Sequence, residues 1–364
     1  MIHTGSGGIM SMYAARMHGL KQPLQIDEVP IPEPGPEEVL VKVRATGMCR
    51  SDYQLIDGYF PIDLTFPYIP GHEVAGQVER LGADVPASAG LAEGDLVVVY
   101  PAWGDGTCRQ CHEGNEQLCT GSGGWIGFGP PGGFAEYVNV PSRHLIRIDP
   151  DAGLEPEYLA PLVDAGLTPY RGMKRLRAAG RLAPGRTVAV SGIGGLGGYG
   201  VQYARLLGGG ATVVAFARDD AKLALARENG ADHTINTRGK TPDQVRAELA
   251  ELTGRGEIDA ALDCSGASQS LELNAALLAA EGTLVSVGLM GDSVEFPVFP
   301  FVSGERTFSG SFWGNHNDLT EVLAYAGQGR VKHTVTPISL GDINDKLDEL
   351  GRGHVIGRVV VVFD

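Results

Sequence analysis

The sequence predicts an α/β chain in two parts, a β-rich segment and a doubly wound parallel sheet. Three observations carry that expectation: short alternating apolar runs cut by turn residues up to about Asp149, a change after Pro161 to strand and helix in alternation, and a glycine triplet where the first such strand meets its helix. The 364 residues also exceed what one core usually organises, since single cores rarely grow past roughly 250 residues.

In the first part, Pro30, Pro32, Pro34 and Pro36 lead into Val39, Val41 and Val43, whose spacing of two places them on one strand face. Val74 to Val78, Leu96 to Tyr100 and Phe134 to Val140 repeat the pattern between glycine-rich loops. In the second part the order runs TVAVS (187–191), glycine loop and helix, TVVAF (212–216), helix through Arg227, then HTIN. A helix around Val245 to Leu252, a strand at Asp259 to Asp263, a helix around Leu271 to Ala279 and a strand at Thr283 to Val287 complete several βαβ units. The tail from Phe308, ending in RVVVVFD, is expected to return to the first part. That makes residues 164–308 a second domain inserted into a first of 1–163 and 309–364.

Composition narrows the function classes. A formal charge of -15 disfavours nucleic acid as a partner, because such binding rests on basic patches that release counterions. No apolar run approaches the roughly 18 residues of a membrane helix. The first dozen residues, MIHTGSGGIMSM, have neither a basic nor an apolar signal region, so a cytoplasmic setting is expected, with Met10 or Met12 as alternative starts. Five cysteines, Cys49, Cys108, Cys111, Cys119 and Cys264, form an odd set that suits metal ligands or buried thiols better than disulfides.

Gly192-Ile-Gly194-Gly195-Leu196-Gly197 follows a predicted strand and opens a predicted helix, which is the spacing and context of the dinucleotide fingerprint of a Rossmann unit. Gly192 permits the tight turn, Gly194 lets backbone approach a pyrophosphate, and Gly197 allows close helix packing. After the second strand stand Phe216, Ala217 and Arg218. Ala217 leaves room for a 2′-phosphate and Arg218 can pair with it, which favours NADP over NAD; in the alternative, Asp219 or Asp220 reaches the ribose.

Two sets of residues have metal-ligating chemistry. Asp105, Cys108, Cys111 and Cys119 have the spacing of a closed structural zinc loop, either with the carboxylate as fourth ligand or as a three-sulfur site. Cys49 in GMCRSD, His72 and Glu73 in PGHEVAG, and Asp164 in PLVDAGLTPY are scattered, and each alone reads equally well as a buried or surface residue.

Taken in order, GMCRSD, GHE, the cysteine loop, DAGLTPY, GIGGLG and the terminal GR before a strand resemble the zinc-containing medium-chain dehydrogenase/reductase family over nearly the whole chain, notably its bacterial secondary-alcohol branch. The resemblance implies a GroES-like catalytic domain, a catalytic zinc held by Cys49, His72 and Asp164 with Glu73 as a transient ligand, Ser51 as first proton-relay hydroxyl, and Asp52 behind the histidine ligand. It also implies that Thr168 and Leu196 line the nicotinamide and that Arg358 meets the pyrophosphate. Gln54 stands where relatives carry a relay histidine, and glutamine does not titrate.

The expected activity is hydride exchange between NADP(H), or NAD(H), and an alcohol/carbonyl pair, with zinc as Lewis acid. Tyr53, Tyr59, Phe60, Trp103, Trp125 and Trp313 are candidate pocket residues for an apolar or aromatic substrate, with burial in an ordinary core the alternative for each. The rivals are a polyol dehydrogenase or a zinc-free enone reductase on the same fold, and a non-enzymatic nicotinamide-binding protein. By analogy the chain forms a homodimer or homotetramer through the cofactor domain, with a strand around Val294 to Phe299 at the edge.

Overall fold

The computed structural model describes residues 3–4, 10–121 and 124–364. Most of the opening segment, residues 1–2 and 5–9, lies outside the described residues, whereas Met10 and Met12 both belong to the strand Met10–Arg16. The chain forms two compact units, Met1–Asp164 with Asn315–Asp364, and Ala165–Gly314.

The first unit is β-rich. Its main sheet has seven strands, with Glu38–Gly47 at the centre, antiparallel to Glu73–Leu81, to Tyr137–Pro141 and to the terminal Arg358–Val362. The alternating valines make this sheet: Val39, Val41 and Val43 are fully buried and pack with Val74, Val97, Val99 and Ile126. A smaller three-stranded sheet is built from His3–Thr4, Met10–Arg16 and Gln25–Pro30.

The second unit carries a six-stranded parallel sheet in the order His233–Asn236, Thr212–Ala217, Thr187–Ser191, Ile258–Asp263, Leu278–Ser286, Thr307–Gly310. Every residue of Thr187–Ser191 and of Ile258–Asp263 is buried, as expected for central strands covered by helices on both faces. Helix boundaries follow local signals. Pro242–Thr253 opens on a Thr241/Gln244 capping box and stops at Gly254 in the left-handed conformation. The order of connection reverses between Thr187–Ser191 and Ile258–Asp263, which is the switch point where such sheets open a ligand crevice at their carboxyl ends.

Two details differ from the sequence reading. At the domain boundaries, Asp164 closes the first unit rather than opening the second, and Thr307–Gly310 pairs in parallel with Leu278–Ser286, so residues 309–314 stay with the second unit. The edge strand expected at Val294 to Phe299 is not there; Pro297 caps a short helix, Val298–Ser303, and the sheet edge is Thr307–Gly310. The physical reason is that Pro297 and Pro300 lack the N–H a ladder needs, while a first helical turn has no use for it.

Within the first unit, His144 is buried and stacks flat on Trp103, with ring centroids 5.5 Å apart. Burial, then the Arg143 and His316 charges, push its pKa from 6.5 down to about 3. Protonation therefore favours the unfolded chain. The stability it contributes is present above pH about 6.5 and is lost as pH falls toward 3, at about 1.4 kcal/mol per pH unit. Urea midpoints measured between pH 7 and 5 should fall accordingly, and His144→Gln should flatten the slope; an unchanged slope would remove His144 from the account.

Candidate active site

Cys49 follows the strand Glu38–Gly47 and caps the helix Arg50–Ile56. Asp52 closes this helix start by accepting the Cys49 N–H at 2.9 Å through Oδ2, which leaves Oδ1 facing His72 Nδ1 at 3.0 Å. His72 directly precedes the strand Glu73–Leu81, in which Glu73 pairs with Gly47. A side chain at position 47 is excluded, because its Cβ would lie 1.9 Å from Glu73 Oε2. Asp164 ends the turn Ala160–Val163 and places Oδ2 3.2 Å from His72 Nε2. One ligand-type atom from each of Cys49, His72, Glu73 and Asp164 lies within 4.8 Å of the others, and all four residues are buried.

The charges of this cluster call for a cation. Burial alone would lower the His72 pKa, yet Asp52 on one ring nitrogen and Asp164 on the other carry it well above its usual value. Burial and the Asp164 charge push the Cys49 thiol up. A thiol, an imidazole and a carboxylate converging in a dry site, with the imidazole tautomer set from behind by Asp52, is the donor set and support that catalytic zinc takes. Glu73 differs from the other three, because Arg358 Nη2 spans both its carboxylate oxygens at 2.6 Å and also donates to the Met48 carbonyl at 3.0 Å. Burial pushes the Glu73 carboxyl up to about 8, against the opposing pull of this guanidinium. Arg358, expected from the resemblance at a pyrophosphate, is thus 4% exposed and engaged with Glu73 in the first unit.

Asp105, Cys108, Cys111 and Cys119 form the second cluster. Cys108 Sγ lies 3.6 Å from Cys111 Sγ and 3.7 Å from Cys119 Sγ, and Asp105 Oδ1 lies 3.5 Å from Cys111 Sγ. The N–H groups of Thr107 and Cys108 donate to Asp105 Oδ1 and hold the carboxyl far below its usual range. N–H groups of Cys111 and Thr120 draw the Cys108 thiol down to about 7. Four convergent protein ligand atoms are the number that fills a closed structural ion site. The loop is anchored from outside, since Asn315 donates to the Gly114 carbonyl, His316 N–H donates to Glu116, and Arg143 donates to the Gly104 carbonyl.

In the second unit Gly192 has φ +81°, and a Cβ there would meet Ser265 at 2.8 Å. Gly194 faces open space, Gly195 and Leu196 start the helix Gly195–Leu207, and Gly197 packs so closely that a Cβ would lie 2.4 Å from the Gly192 carbonyl oxygen. Thr168 is buried in the first turn of helix Leu167–Ala178. Ala217 ends its strand and Arg218 follows, exposed. Asp219 is occupied in capping helix Asp220–Glu228, accepting from the Ala221 and Lys222 N–H groups, and Asp220 accepts from Asn236. Arg238, which the sequence reading missed, donates to the Arg218 carbonyl at 2.8 Å, so two cations flank this strand end. Its signal was weak, because it follows a different strand.

Comparison with known proteins places these features in a family. Residues 35–150 match the alcohol dehydrogenase GroES-like domain and residues 195–327 match the zinc-binding dehydrogenase domain. An alcohol dehydrogenase of Rhizobium meliloti is 37% identical over 97% of this chain and 99% of its own length. The chain belongs to the zinc-containing medium-chain dehydrogenase/reductase family. This dehydrogenase is therefore an NAD(P)-linked oxidoreductase of the alcohol dehydrogenase type, an α/β protein with a GroES-like part. Among solved structures, the alcohol dehydrogenase of Aeropyrum pernix superposes with a TM-score of 0.88 at 36% identity, covering 96% of this chain and all of that one. Acetophenone reductase from Geotrichum candidum, solved with NAD, has a TM-score of 0.86 at 29% identity and covers 97% of each chain.

In the dehydrogenase one aromatic ring packs on His72, and further rings pack behind it. Phe128 lies 5.1 Å from the imidazole, Phe60 packs edge-on against Phe128 at 5.3 Å, and Tyr59 and Trp125 extend the group. Phe128 was not among the sequence candidates, because nothing local marks which aromatic in a glycine-rich loop turns toward a histidine. The Tyr68 hydroxyl pins this loop, donating to the Pro130 carbonyl and accepting from Gly129 N–H. Trp103 instead stacks on His144 and donates to Tyr100, and Tyr53 packs on Gly351, so neither belongs to the His72 group. Trp313 is buried in the second unit beside Phe312.

Proposed function

We propose that this dehydrogenase interconverts apolar or aromatic alcohols with their ketones or aldehydes, with NADP(H) preferred as hydride carrier. The observation that carries the reading is the meeting of Cys49, His72 and Asp164 around one point, with Asp52 behind the histidine and Phe128 beside it. Cys49, His72 and Asp164 would hold a catalytic zinc; Asp105, Cys108, Cys111 and Cys119 would hold a structural one. When bound, zinc supplies Lewis-acid polarisation of the substrate oxygen and the nicotinamide exchanges hydride with the carbon that bears it. Asp52 keeps His72 in the tautomer whose Nε2 faces the metal position. The Ser51 hydroxyl, on the first turn of the same helix, would receive the alcohol proton first, and Gln54, which has no titrating group, would not carry it further as an acid or base. The Phe60 and Phe128 rings exclude water and supply apolar surface for the substrate body.

The cofactor preference is supported by Arg218 and Arg238 at a strand end whose two nearby aspartates are engaged in local bonds. Arg218→Ala should raise the KM for NADP at least about tenfold and that for NAD less than about twofold, as expected for loss of a charged phosphate contact. Equal effects on both would refute the preference. The deciding assay is a panel of small, polyol and aromatic alcohols, ketones and aldehydes with both cofactors. Highest kcat/KM on an aromatic or bulky apolar pair supports the reading, and highest kcat/KM on polyols replaces it.

We also propose a homo-oligomer joined through the second unit. The open sheet edge Thr307–Gly310 adjoins a short helix whose Val298, Phe299 and Val302 are more than 70% exposed, a combination that an isolated unit seldom leaves in water. Among the described residues no helix is long and apolar enough to cross a membrane, and all five cysteines are free. A reducing, cytoplasmic setting is our reading of the latter.

A further inference from the structure

Asp263 ends the strand Ile258–Asp263, opposite Ser191 across the switch point of the parallel sheet, and it is fully buried. Among the described residues no cation pairs with it. Its carboxylate is instead surrounded by donors: Oδ1 accepts from Gly266 N–H at 2.6 Å, Ser265 N–H at 3.0 Å and Ser265 Oγ at 3.2 Å, while Oδ2 accepts from Asn274 Nδ2 at 3.0 Å and from the Ser270 hydroxyl. Asn274 is also fully buried, and its Oδ1 accepts from the Ser191 hydroxyl at 2.9 Å. One carboxylate thus ties together the residue before Gly192, the loop after its own strand and the helix Ser268–Leu277.

That loop is a wall of the glycine turn. Cys264 N–H donates to the Ser191 carbonyl, and Ser265 lies where a side chain on Gly192 would be. The loop after the next strand is drawn in as well: Val287 N–H donates to the Asp263 carbonyl, Met290 N–H to Ser265 and Gly291 N–H to Gly266. Contact is so close that a Cβ on Gly288 would lie 2.2 Å from the Ser265 backbone. Three loops at the carboxyl ends of adjacent strands therefore take their positions from one buried acceptor, at the place where sheets of this order bind their ligands.

We propose that Asp263 is a positioning residue for the bound dinucleotide: it holds loop 264–267 against Gly192 and so fixes the shape of the turn that receives the cofactor. The proposal rests on reading Gly192–Gly197 as the dinucleotide turn. A carboxylate suits the site because, as these groups are oriented, all five bonds to it come from donors, and turning Asn274 over would take its acceptor away from the Ser191 hydroxyl. In Asp263→Asn, the amide would turn a donor toward Asn274 Nδ2, two donors facing each other without water. The exchange Asp263→Asn with Asn274→Asp restores complementarity. The amide oxygen introduced at position 263 accepts the loop N–H groups and its NH2 donates to the carboxylate introduced at position 274, which still accepts from Ser191.

The test measures NADPH and NADH dissociation constants by titration of nucleotide fluorescence, with Tm and kcat at saturating cofactor alongside. Asp263→Asn is expected to weaken binding of both nucleotides at least about tenfold while kcat at saturation changes less than about threefold, and the double exchange should recover binding to within about threefold of the parent. A merely structural role would lower Tm in the single variant and leave the dissociation constants unchanged. Should Asp263→Asn not fold, Ser270→Ala, which removes a single donor, is expected to weaken binding about threefold. A folded Asp263→Asn protein, or failing that a folded Ser270→Ala protein, that binds nucleotide like the parent overturns the proposal and leaves the dinucleotide reading intact. A parent protein that binds neither nucleotide overturns both.

Discussion

Asp164→Ala is expected to lower kcat/KM at least ~10³-fold, equivalent to about 4 kcal/mol of transition-state stabilisation, and to reduce bound zinc from two ions per chain to one. The expectation follows from geometry: Asp164 Oδ2 and His72 Nε2 stand 3.2 Å apart and share a buried position with Cys49. Without the aspartate the site keeps too little negative charge to hold a divalent ion against water. Cofactor affinity should change less than about threefold, because the glycine turn belongs to the other unit. Cys111→Ser is the companion measurement. It should also remove one zinc, but its main effect should be on thermal stability, as expected for the loss of one ligand from a closed four-ligand site. Metal analysis and steady-state kinetics on both variants separate the two sites. A fully active, two-zinc Asp164→Ala protein would falsify the ligand assignment.

Arg358→Ala is expected to destabilise the first unit by about 3–5 kcal/mol, since it leaves the Glu73 carboxylate buried without a counter-charge. In thermal unfolding this corresponds to a Tm lowered by roughly 10 °C, at about 2–4 °C per kcal/mol for a unit of this size. Glu73→Gln in the same chain should recover at least half of the loss, because a neutral amide needs no cation. The double variant separates the ion pair from simple loss of side-chain packing, which Glu73→Gln cannot repair. If Arg358→Ala is as stable as the parent and only raises the KM for cofactor, Arg358 acts on the pyrophosphate as the family resemblance implied, and its pairing with Glu73 contributes little.

The glycine turn was legible because all of its determinants are contiguous: a strand of β-branched residues, three glycines and a helix lie within a short run, each constrained by its own backbone. The Cys108, Cys111 and Cys119 cluster was legible for the same reason. The Arg358–Glu73 pair was not, since its partners are 285 residues apart and nothing near either one names the other. Phe128 and Trp103 illustrate the same limit in opposite directions. Both are aromatic residues in glycine-containing segments, yet one faces His72 and the other stacks on His144, an outcome set by how the sheet's strands are connected. At Val294 to Phe299 apolar character suggested a strand, and the prolines at 297 and 300 decided otherwise.

By itself the sequence determined the α/β class, the succession of βαβ units, the turn at Gly192 and the ligand chemistry at hand, because periodicity, glycine conformation and side-chain donor type are local properties. Only the tertiary structure decided which groups meet. His72 and Asp164 are 92 residues apart, and they face each other because a strand start and a turn end are brought together by packing. The same holds for Asp263, whose significance lies in donors drawn from a neighbouring loop and helix. Burial makes such encounters specific, since in a dry interior each acceptor must find its donor or its cation, and the chain's connectivity settles which one is in reach.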